Sequence, residues 1–225
     1  MAQNQGGGAR ARDVTVPAQN ALLKGILAVP RGARGVVLFA HGSGSGRLST
    51  RNNFVARSLQ TGGLATLLID LLTEDEGEDR RFVFDIDLLA SRLLAATAWL
   101  RRLPETRPLS IGYFGASTGA AAALQAAAQE GDAIGAMVSR GGRPDLARDY
   151  LPTVTAPTLF IVGGDDLPVI TLNQQAHDLL RCTKELVIIP GATHLFPEPG
   201  ALEEVARLAR EWFQRYLVRG TERAV

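Results

Sequence analysis

Apolar and polar positions along the chain follow two patterns in alternation, one typical of buried strands and one typical of helices. Short uninterrupted apolar runs recur, and between them apolar residues return every three or four positions. A run without polar positions indicates a strand that is buried on both faces, as in a parallel sheet covered by helices. The pattern therefore predicts an α/β fold with a mostly parallel sheet and helices on both faces.

The predicted elements begin with a hairpin and then alternate between strand and helix. The predicted strands are 13–16 and 21–28, which form the hairpin, followed by 35–40, 64–69, 109–114, 133–139, 158–162 and 186–189. Of these, 35–40, 133–139, 158–162 and 186–189 are predicted to be buried. The predicted helices are 51–60, 85–100, 119–128, 171–180 and a last helix with Leu202, Val205, Leu208, Trp212, Phe213 and Tyr216 at core spacing. Two stretches without periodicity, 71–81 and 140–157, are predicted to be surface loops.

The length of 225 residues suits one well-packed α/β domain and is short for two. We expect a single domain over residues 13–220, preceded by a disordered tail at 1–12 that is rich in Gly, Gln and Arg. The tail lacks the apolar core of a signal peptide, and no apolar run approaches the roughly 20 residues that cross a bilayer. These features favour a cytoplasmic protein with no membrane partner.

The balance of charge argues against a nucleic-acid partner. The 24 basic and 23 acidic side chains nearly cancel, and no basic stripe with interleaved aromatic residues is present. The composition therefore argues against nucleic acid as a partner. The acidic run 74–79 lacks the spacing of a calcium loop and is predicted to be a solvated loop.

The most specific chemical signal is Gly115-Ala116-Ser117-Thr118-Gly119, which lies between a predicted strand and an alanine-rich helix. A serine held in a sharp strand-to-helix turn needs very small residues two positions away on either side. Gly115 and Gly119 meet that need. The pentapeptide and its placement together predict a nucleophile elbow with Ser117 as the nucleophile, in preference to an ordinary glycine-rich turn.

The serine hydroxyl needs a base, and the chain has three histidines. His177 lies inside a predicted amphipathic helix and is interpreted as a surface or packing residue. His194 follows the last predicted strand, where the base of such a fold is found, and is predicted to be that base. His41 follows a central strand and is assigned to the loop that builds the anion pocket, as a candidate substrate-binding residue.

A carboxylate is expected after a strand that lies between the serine and the last histidine. Asp165 and Asp166 both follow the predicted strand 158–162. Asp166 is preferred because it fits the usual hydrolase spacing, in which a glycine, two residues, the acid, two residues and a valine follow in order, here from Gly163 to Val169. Asp165 and a solvated acidic pair without a catalytic role remain alternatives.

The developing oxyanion needs two backbone N–H donors. Thr118 is predicted to supply one, and Ser43, in the turn His41-Gly42-Ser43-Gly44, is predicted to supply the other, because glycine lets the backbone approach the substrate. The alternative, a phosphate-binding glycine loop, lacks the lysine and the spacing of a P-loop.

The order Ser117, Asp166, His194, the elbow and the His41-Gly42 turn resemble the α/β-hydrolase superfamily, from about residue 13 onward. The stretches 139–145 and 191–196 and the short length are similar to a dienelactone-hydrolase-like group within it. True dienelactone hydrolases use a cysteine nucleophile, whereas this chain has a serine, so the resemblance implies acyl transfer without specifying the dienelactone. It also implies an eight-stranded, mostly parallel sheet and no metal or organic cofactor.

The predicted function is therefore hydrolysis of small or short-chain carboxylic esters through an acyl-enzyme, by a monomer or homodimer. Fewer than twenty residues separate Ser139 from Pro157, which leaves no room for a substantial lid and favours a shallow, open site. The alternatives are a non-catalytic binding protein of the same fold and a thioesterase, peptidase, lactone hydrolase or perhydrolase with the same residues.

Arg140 directly follows a predicted strand and is a candidate to bind a substrate carboxylate through both of its terminal nitrogens. Alternatively, Arg140 or Arg143 pairs with a loop carbonyl, Asp145 or Asp149. Weaker candidates for the pocket are Arg51, Asn52 and Asn53. The single cysteine, Cys182, lies in a polar stretch and is interpreted as structural or incidental.

Overall fold

The computed structural model describes residues 10–218, which fold around one eight-stranded sheet. Its strands are β1 Arg10–Ala18, β2 Ala21–Val29, β3 Val36–Ala40, β4 Ala65–Ile69, β5 Ile111–Ala116, β6 Ile134–Arg140, β7 Thr158–Gly163 and β8 Lys184–Ile189. Their order across the sheet is β1-β2-β4-β3-β5-β6-β7-β8. Strands β3 to β8 are parallel, and the β1–β2 hairpin joins them antiparallel through β4.

Helices cover both faces of the sheet. They are α1 Thr50–Thr61, α2 Glu74–Glu78, α3 Arg80–Val83, α4 Ile86–Leu100, α5 Thr118–Glu130, α6 Leu167–Leu179 and α7 Ala201–Leu217, with 3-10 helices at Gly131–Ala133 and Pro144–Thr153. Helices α1 and α7 pack on one face, and α4, α5 and α6 pack on the other. The fold class predicted from the sequence is thus confirmed.

Two hydrophobic cores lie on the two faces of the sheet because successive strand residues point to opposite sides. Leu38 and Tyr113 pack with the helices α4 and α5 in one core. Phe39 and Phe114 pack with α1 and α7 in the other, where their ring centroids are 4.9 Å apart. Every residue of β3 and β5 is buried, which explains why the central strands appear in the sequence as unbroken apolar runs.

The first strand is longer than predicted. β1 begins at Arg10, and residues 10–12, which were expected to belong to the disordered tail, pair with residues 27–29 of β2. Backbone hydrogen bonds continue the ladder there whatever the polarity of the side chains, and Arg12 also pairs with Glu105 at 2.5 Å. The rest of the expected tail, residues 1–9, and positions 219–220 of the expected domain lie outside the described residues.

Two other predictions need correction. β8 was expected to be buried, but it has only β7 as a neighbour, and Ile188 is 40% exposed on this edge strand. The stretch 71–81 was expected to be a loop, but it contains α2 and the start of α3. A reciprocal capping box explains α2: Thr73 Oγ1 accepts the Glu76 N–H, and the Glu76 carboxylate accepts the Thr73 N–H.

The other expected loop, 140–157, contains two short 3-10 helical stretches within Pro144–Thr153, separated by a kink at Ala147, where φ is −119° and ψ is 25°. This segment packs against α5 and α6. Pro144 occupies its first turn, where a missing N–H costs nothing.

The elbow brings the N-terminus of α5 against the end of β3. A Cβ atom at Gly119 would overlap the carbonyl oxygens of Ala40 and His41, which are rigid backbone atoms. Only glycine allows this approach, and the approach places the first turn of α5 beside the loop that follows β3. This contact therefore positions the site described below.

We expect Gly119→Ala to lower the free energy of unfolding by about 3 kcal/mol, because backbone rather than a flexible side chain must move. Gly77→Ala is the matched control: Gly77 lies in α2 and a Cβ there would meet no atom within 4 Å. That control is expected to be neutral or to stabilise by up to about 1 kcal/mol. Urea denaturation of both variants measures the difference, and equal stabilities would contradict the packing argument.

Candidate active site

Ser117 lies in the turn between β5 and α5 in a conformation that L-residues rarely adopt. Its φ is 51° and its ψ is −123°. The surrounding backbone holds it there: the Ser117 N–H donates to the Arg140 carbonyl at 3.3 Å, and the Ser117 carbonyl accepts the Arg143 N–H at 3.0 Å. A strained serine held by its neighbours at a strand end has the geometry of a nucleophile elbow.

His194 and Asp166 form a hydrogen-bonded pair. Asp166 precedes α6 after β7, and His194 lies in the segment after β8. The His194 Nδ1 and Asp166 Oδ2 atoms are 2.7 Å apart, which leaves His194 Nε2 as the ring nitrogen available to a reacting group. Asp165 is exposed, and its N–H donates to the Ala192 carbonyl. Of the two candidate carboxylates, the structure therefore joins Asp166 to the histidine.

Ser117 and His194 line the same cleft. We call it the catalytic cleft; its volume is about 590 Å³, and its walls include residues 42–46, 49–51 and 116–117, Arg140, His194 and Leu195. The Ser117 hydroxyl makes no hydrogen bond with His194 within the described chain. Catalytic hydrogen bonds in unliganded sites often form or tighten only when substrate binds, so the missing bond is compatible with a catalytic pair.

Residues 42–46, which we call the glycine loop, form one wall of this cleft. The Ser43 N–H donates to Thr118 Oγ1 at 3.1 Å. Thr118 is the first residue of α5, so its own N–H has no partner within the helix. The structure therefore brings both predicted oxyanion donors to one place, but an oxyanion must share or replace the Thr118 hydroxyl as the acceptor for Ser43.

His41 anchors the start of the glycine loop through hydrogen bonds to backbone atoms. The ring is buried, its Nε2 accepts the Leu71 N–H at 2.9 Å and its Nδ1 lies 3.0 Å from the Gly42 carbonyl. Burial lowers the pKa of His41 below its usual value, with the Gly42 hydrogen bond and Asp70 acting in the opposite direction. With both ring nitrogens engaged by backbone atoms, His41 has no ring nitrogen left to hydrogen-bond a ligand, so any contact with substrate would be through the face of the ring.

The end of the glycine loop has its own anchor, which the sequence analysis missed. Asp70 follows β4, and its carboxylate accepts the Arg47 N–H at 2.6 Å and pairs with the Arg47 guanidinium. Asn53 Nδ2 donates to the carbonyls of Arg47 and Ser49. Asn53 thus supports the loop. An acidic residue directly after a predicted strand was the available signal for Asp70.

Arg140 is a buried cation at the base of the catalytic cleft. It is 7% exposed, and its guanidinium contacts only Asn52 Oδ1 at 3.4 Å and the ring of Phe196, whose centroid is 5.8 Å away. No carboxylate pairs with it among residues 10–218. Burial and then the nearby Arg51 lower the pKa of Arg140 to about 10. Arg51 also lines the cleft.

Other candidate residues lie away from the cleft. Arg143 forms two hydrogen bonds with Asp145, at 2.8 and 2.7 Å, so the ion-pair alternative applies to Arg143 and not to Arg140. His177 lies in α6 with Nδ1 3.6 Å from Asp178. Burial raises the pKa of the Cys182 thiol, which disfavours the thiolate that a nucleophile requires.

Two further observations concern the described residues alone. Within 10–218, histidine, cysteine and carboxylate side chains nowhere gather in threes around a place for a metal ion. None of the helices there combines the length and apolar character needed to cross a bilayer.

The chain matches one family model and a longer mycobacterial relative. A sequence model of the dienelactone hydrolase family matches residues 23–217. A Mycobacterium tuberculosis protein with the provisional name phosphoribosyl transferase is 55% identical over 208 residues, which are 92% of this chain and 47% of that protein. The chain therefore spans about half the length of this relative.

Solved structures share the fold. A dienelactone hydrolase from Anabaena variabilis is 58% identical, with a TM-score of 0.91 over 93% of this chain and 99% of that one. Est1E from Butyrivibrio proteoclasticus, solved with ferulic acid bound, is 19% identical with a TM-score of 0.79 over 92% of this chain and 100% of that one, a likeness of fold alone. On the extent of the family match, this chain belongs to the dienelactone hydrolase family.

Proposed function

We propose that the chain hydrolyses small carboxylic esters through a covalent acyl-enzyme, with Ser117, His194 and Asp166 as its catalytic residues. One observation carries the proposal: a strained Ser117 shares a cleft with His194, whose other ring nitrogen is held by Asp166 at 2.7 Å. A receptor has no use for a nucleophile, a base and an orienting acid in one place. Family membership supports the same reaction class.

In the first half-reaction, His194 Nε2 takes the proton of Ser117 Oγ as that oxygen attacks the carbonyl carbon. The N–H groups of Thr118 and Ser43 stabilise the negative oxygen that results. Collapse of the tetrahedral intermediate breaks the ester bond, and the departing alcohol receives the proton from His194. Asp166 stabilises the imidazolium while it exists.

In the second half-reaction, water takes the place of the alcohol. His194 removes a proton from water, the hydroxyl attacks the acyl carbon, and Ser117 leaves with that proton. The products are the free serine and a carboxylic acid. The cleft is open enough for water to enter, because Leu195 at its edge is 45% exposed.

Arg140 and Arg51 favour substrates that carry an anionic group near the ester. A buried guanidinium without a carboxylate partner is costly, and a bound carboxylate or phosphate would offset that cost with charged hydrogen bonds. Arg140 lines the catalytic cleft, and one of its terminal nitrogens donates to Asn52. We therefore place the anionic group of the substrate at Arg140.

The provisional name of the mycobacterial relative supports a second candidate, transfer of a phosphoribosyl group. The cations of the cleft would also suit a phosphate. That relative has as much chain outside the match as within it, so ester hydrolysis takes precedence for this chain. Ester hydrolysis requires Ser117 to be an activated nucleophile. A phosphoribosyl transferase or a purely binding member of the fold does not.

The first test is covalent labelling. We expect a fluorophosphonate probe to modify Ser117, located by peptide mass spectrometry, and p-nitrophenyl butanoate to be hydrolysed. Ser117→Ala should abolish labelling and lower kcat by about 10⁴-fold to 10⁶-fold, the range for loss of a triad nucleophile. Folded protein that shows neither labelling nor turnover would contradict the proposal and favour a binding or transferase role.

The two adjacent aspartates allow a matched comparison. Asp166→Asn keeps the shape of the residue but reverses the hydrogen bond that orients His194, so kcat should fall by roughly 10⁴-fold. Asp165→Asn, on an exposed side chain, should change kcat by no more than about twofold. Steady-state kinetics on one ester measure both variants. A larger loss in Asp165→Asn would transfer the role to Asp165.

Arg140→Met tests selection for a charged substrate. We expect kcat/KM to fall at least about tenfold for mono-p-nitrophenyl succinate, which carries a carboxylate, because a charged hydrogen bond is lost. For neutral p-nitrophenyl acetate the change should be within about threefold. Arg143→Met is the control, because Arg143 pairs with Asp145. An equal loss on both esters in Arg140→Met would show a structural role instead.

A further inference from the structure

The glycine loop forms a wall of a second cavity besides the catalytic cleft. This second cavity has a volume of about 260 Å³ and is lined by residues 41–45, Asp70, Leu72, Thr73, Glu74, Gly77, Val83, Leu89 and Thr118. It lies beneath α2 and α3, in the stretch whose helices the sequence did not predict. Residues 42–45 line both spaces, so the catalytic cleft and the second cavity lie next to each other and share this loop as a wall.

We propose that the second cavity binds an uncharged aliphatic part of the ester while the ester carbon is at Ser117. This proposal rests on the proposed function and specifies one part of its substrate. The site would accept the acyl chain, which is bonded to the reacting carbon, or the alkyl group of the alcohol, which is joined to that carbon through the ester oxygen.

The second cavity begins beside the nucleophile. A Cβ atom at Gly42 would lie 2.9 Å from Ser117 Cβ and 3.6 Å from Ser117 Oγ, so the backbone of Gly42 lies directly against the serine. Thr118, the next residue along the chain, lines the second cavity itself. A group attached to the carbon under attack therefore needs to extend only past Gly42 and Thr118 to enter it.

The chemistry of the walls selects an apolar group. Leu72, Val83 and Leu89 supply aliphatic surface, and the charged side chains at the rim are already paired. Glu74 accepts from Lys24 at 2.6 Å, and Asp70 pairs with Arg47. Neither carboxylate is left to attract a cationic ligand.

Three neutral polar side chains of the wall, those of His41, Thr73 and Thr118, are engaged as well, whereas the wall residues Ser43 and Ser45 are exposed to solvent. The His41 ring bonds to backbone at both nitrogens, Thr73 Oγ1 accepts the Glu76 N–H, and Thr118 Oγ1 accepts the Ser43 N–H. A polar ligand would have to displace these bonds, whereas an aliphatic group would leave them intact. Burial of each methylene group would add to its affinity.

The wall formed by α2 is fixed from behind. Glu76, whose carboxylate closes the capping box, also accepts from Arg92 of α4 at 2.8 Å, and the Arg92 side chain is only 5% exposed. This buried pair attaches the short helix to a long one. The second cavity is therefore preformed, and its volume is below the ~300–1,000 Å³ of sites for drug-sized ligands, so it suits a short chain.

Cavity-filling variants test the proposal without touching the catalytic residues. Val83→Trp and Gly77→Phe each add bulk at the wall; Gly77 has open space at its Cβ position, so the second variant adds no backbone clash. Phe84→Trp is the control, because Phe84 lies in the same segment, is 46% exposed and does not line the second cavity.

Two substrate series separate the two aliphatic groups. One is p-nitrophenyl esters from acetate to hexanoate, and the other is alkyl acetates from methyl to butyl, whose hydrolysis is measured by the release of acid. In the wild type we expect kcat/KM to rise about tenfold over two added methylene groups in at least one series. Val83→Trp and Gly77→Phe should remove that rise and leave kcat/KM for the shortest ester within about threefold of the wild-type value. Phe84→Trp should keep the wild-type dependence of kcat/KM on chain length. The series that loses its rise identifies the group bound.

An unchanged length dependence in both filled variants would overturn this proposal while ester turnover continued. Loss of all turnover in the wild type would instead contradict the proposed function. Circular dichroism and urea denaturation of each variant confirm that the comparison is made on folded protein. If Val83→Trp is unstable, Gly77→Phe alone provides the cavity-filling test.

Discussion

The close approach of α5 to the end of β3 is the contact on which the site depends. Gly119 has no Cβ, so the first turn of the helix lies directly against the carbonyls of Ala40 and His41. This contact sets Ser117 at positive φ, places the Thr118 N–H at the helix start and positions the glycine loop opposite both. The proposed nucleophile and the proposed oxyanion donors are thus parts of one backbone crossing, and neither can move far without the other.

The glycine loop is held at each end by a different kind of bond. A neutral, buried His41 connects its beginning to the backbone at Leu71, and the ion pair of Arg47 with Asp70 closes its far end. Between these anchors the loop forms a wall of both the catalytic cleft and the second cavity. Its glycines keep the backbone accessible, while the anchors limit the conformational freedom that such a segment would otherwise have.

Charge in the catalytic cleft is one-sided. Arg140 and Arg51 line it without a carboxylate partner in the part of the chain described here, while the carboxylates at the second cavity are paired with Lys24 and Arg47. A substrate with an anionic end and an aliphatic end would match both spaces, with the ester between them. This arrangement of charge limits the choice of substrate more than the fold does, because many unrelated functions share the fold.

The sequence by itself determined the fold class, the elbow and the order of serine, aspartate and histidine along the chain. Those features depend on periodicity and on residues a few positions apart, which local steric rules govern. Only the tertiary structure decided that Asp166 rather than Asp165 meets His194, that His41 bonds to backbone through both ring nitrogens and that Arg140 has no carboxylate partner within residues 10–218. It alone also placed α2 and α3 over a second cavity, although the Thr73 and Glu76 capping box was a local signal for α2. Such outcomes depend on contacts between residues far apart in sequence, where small differences in direction and burial determine which groups become partners.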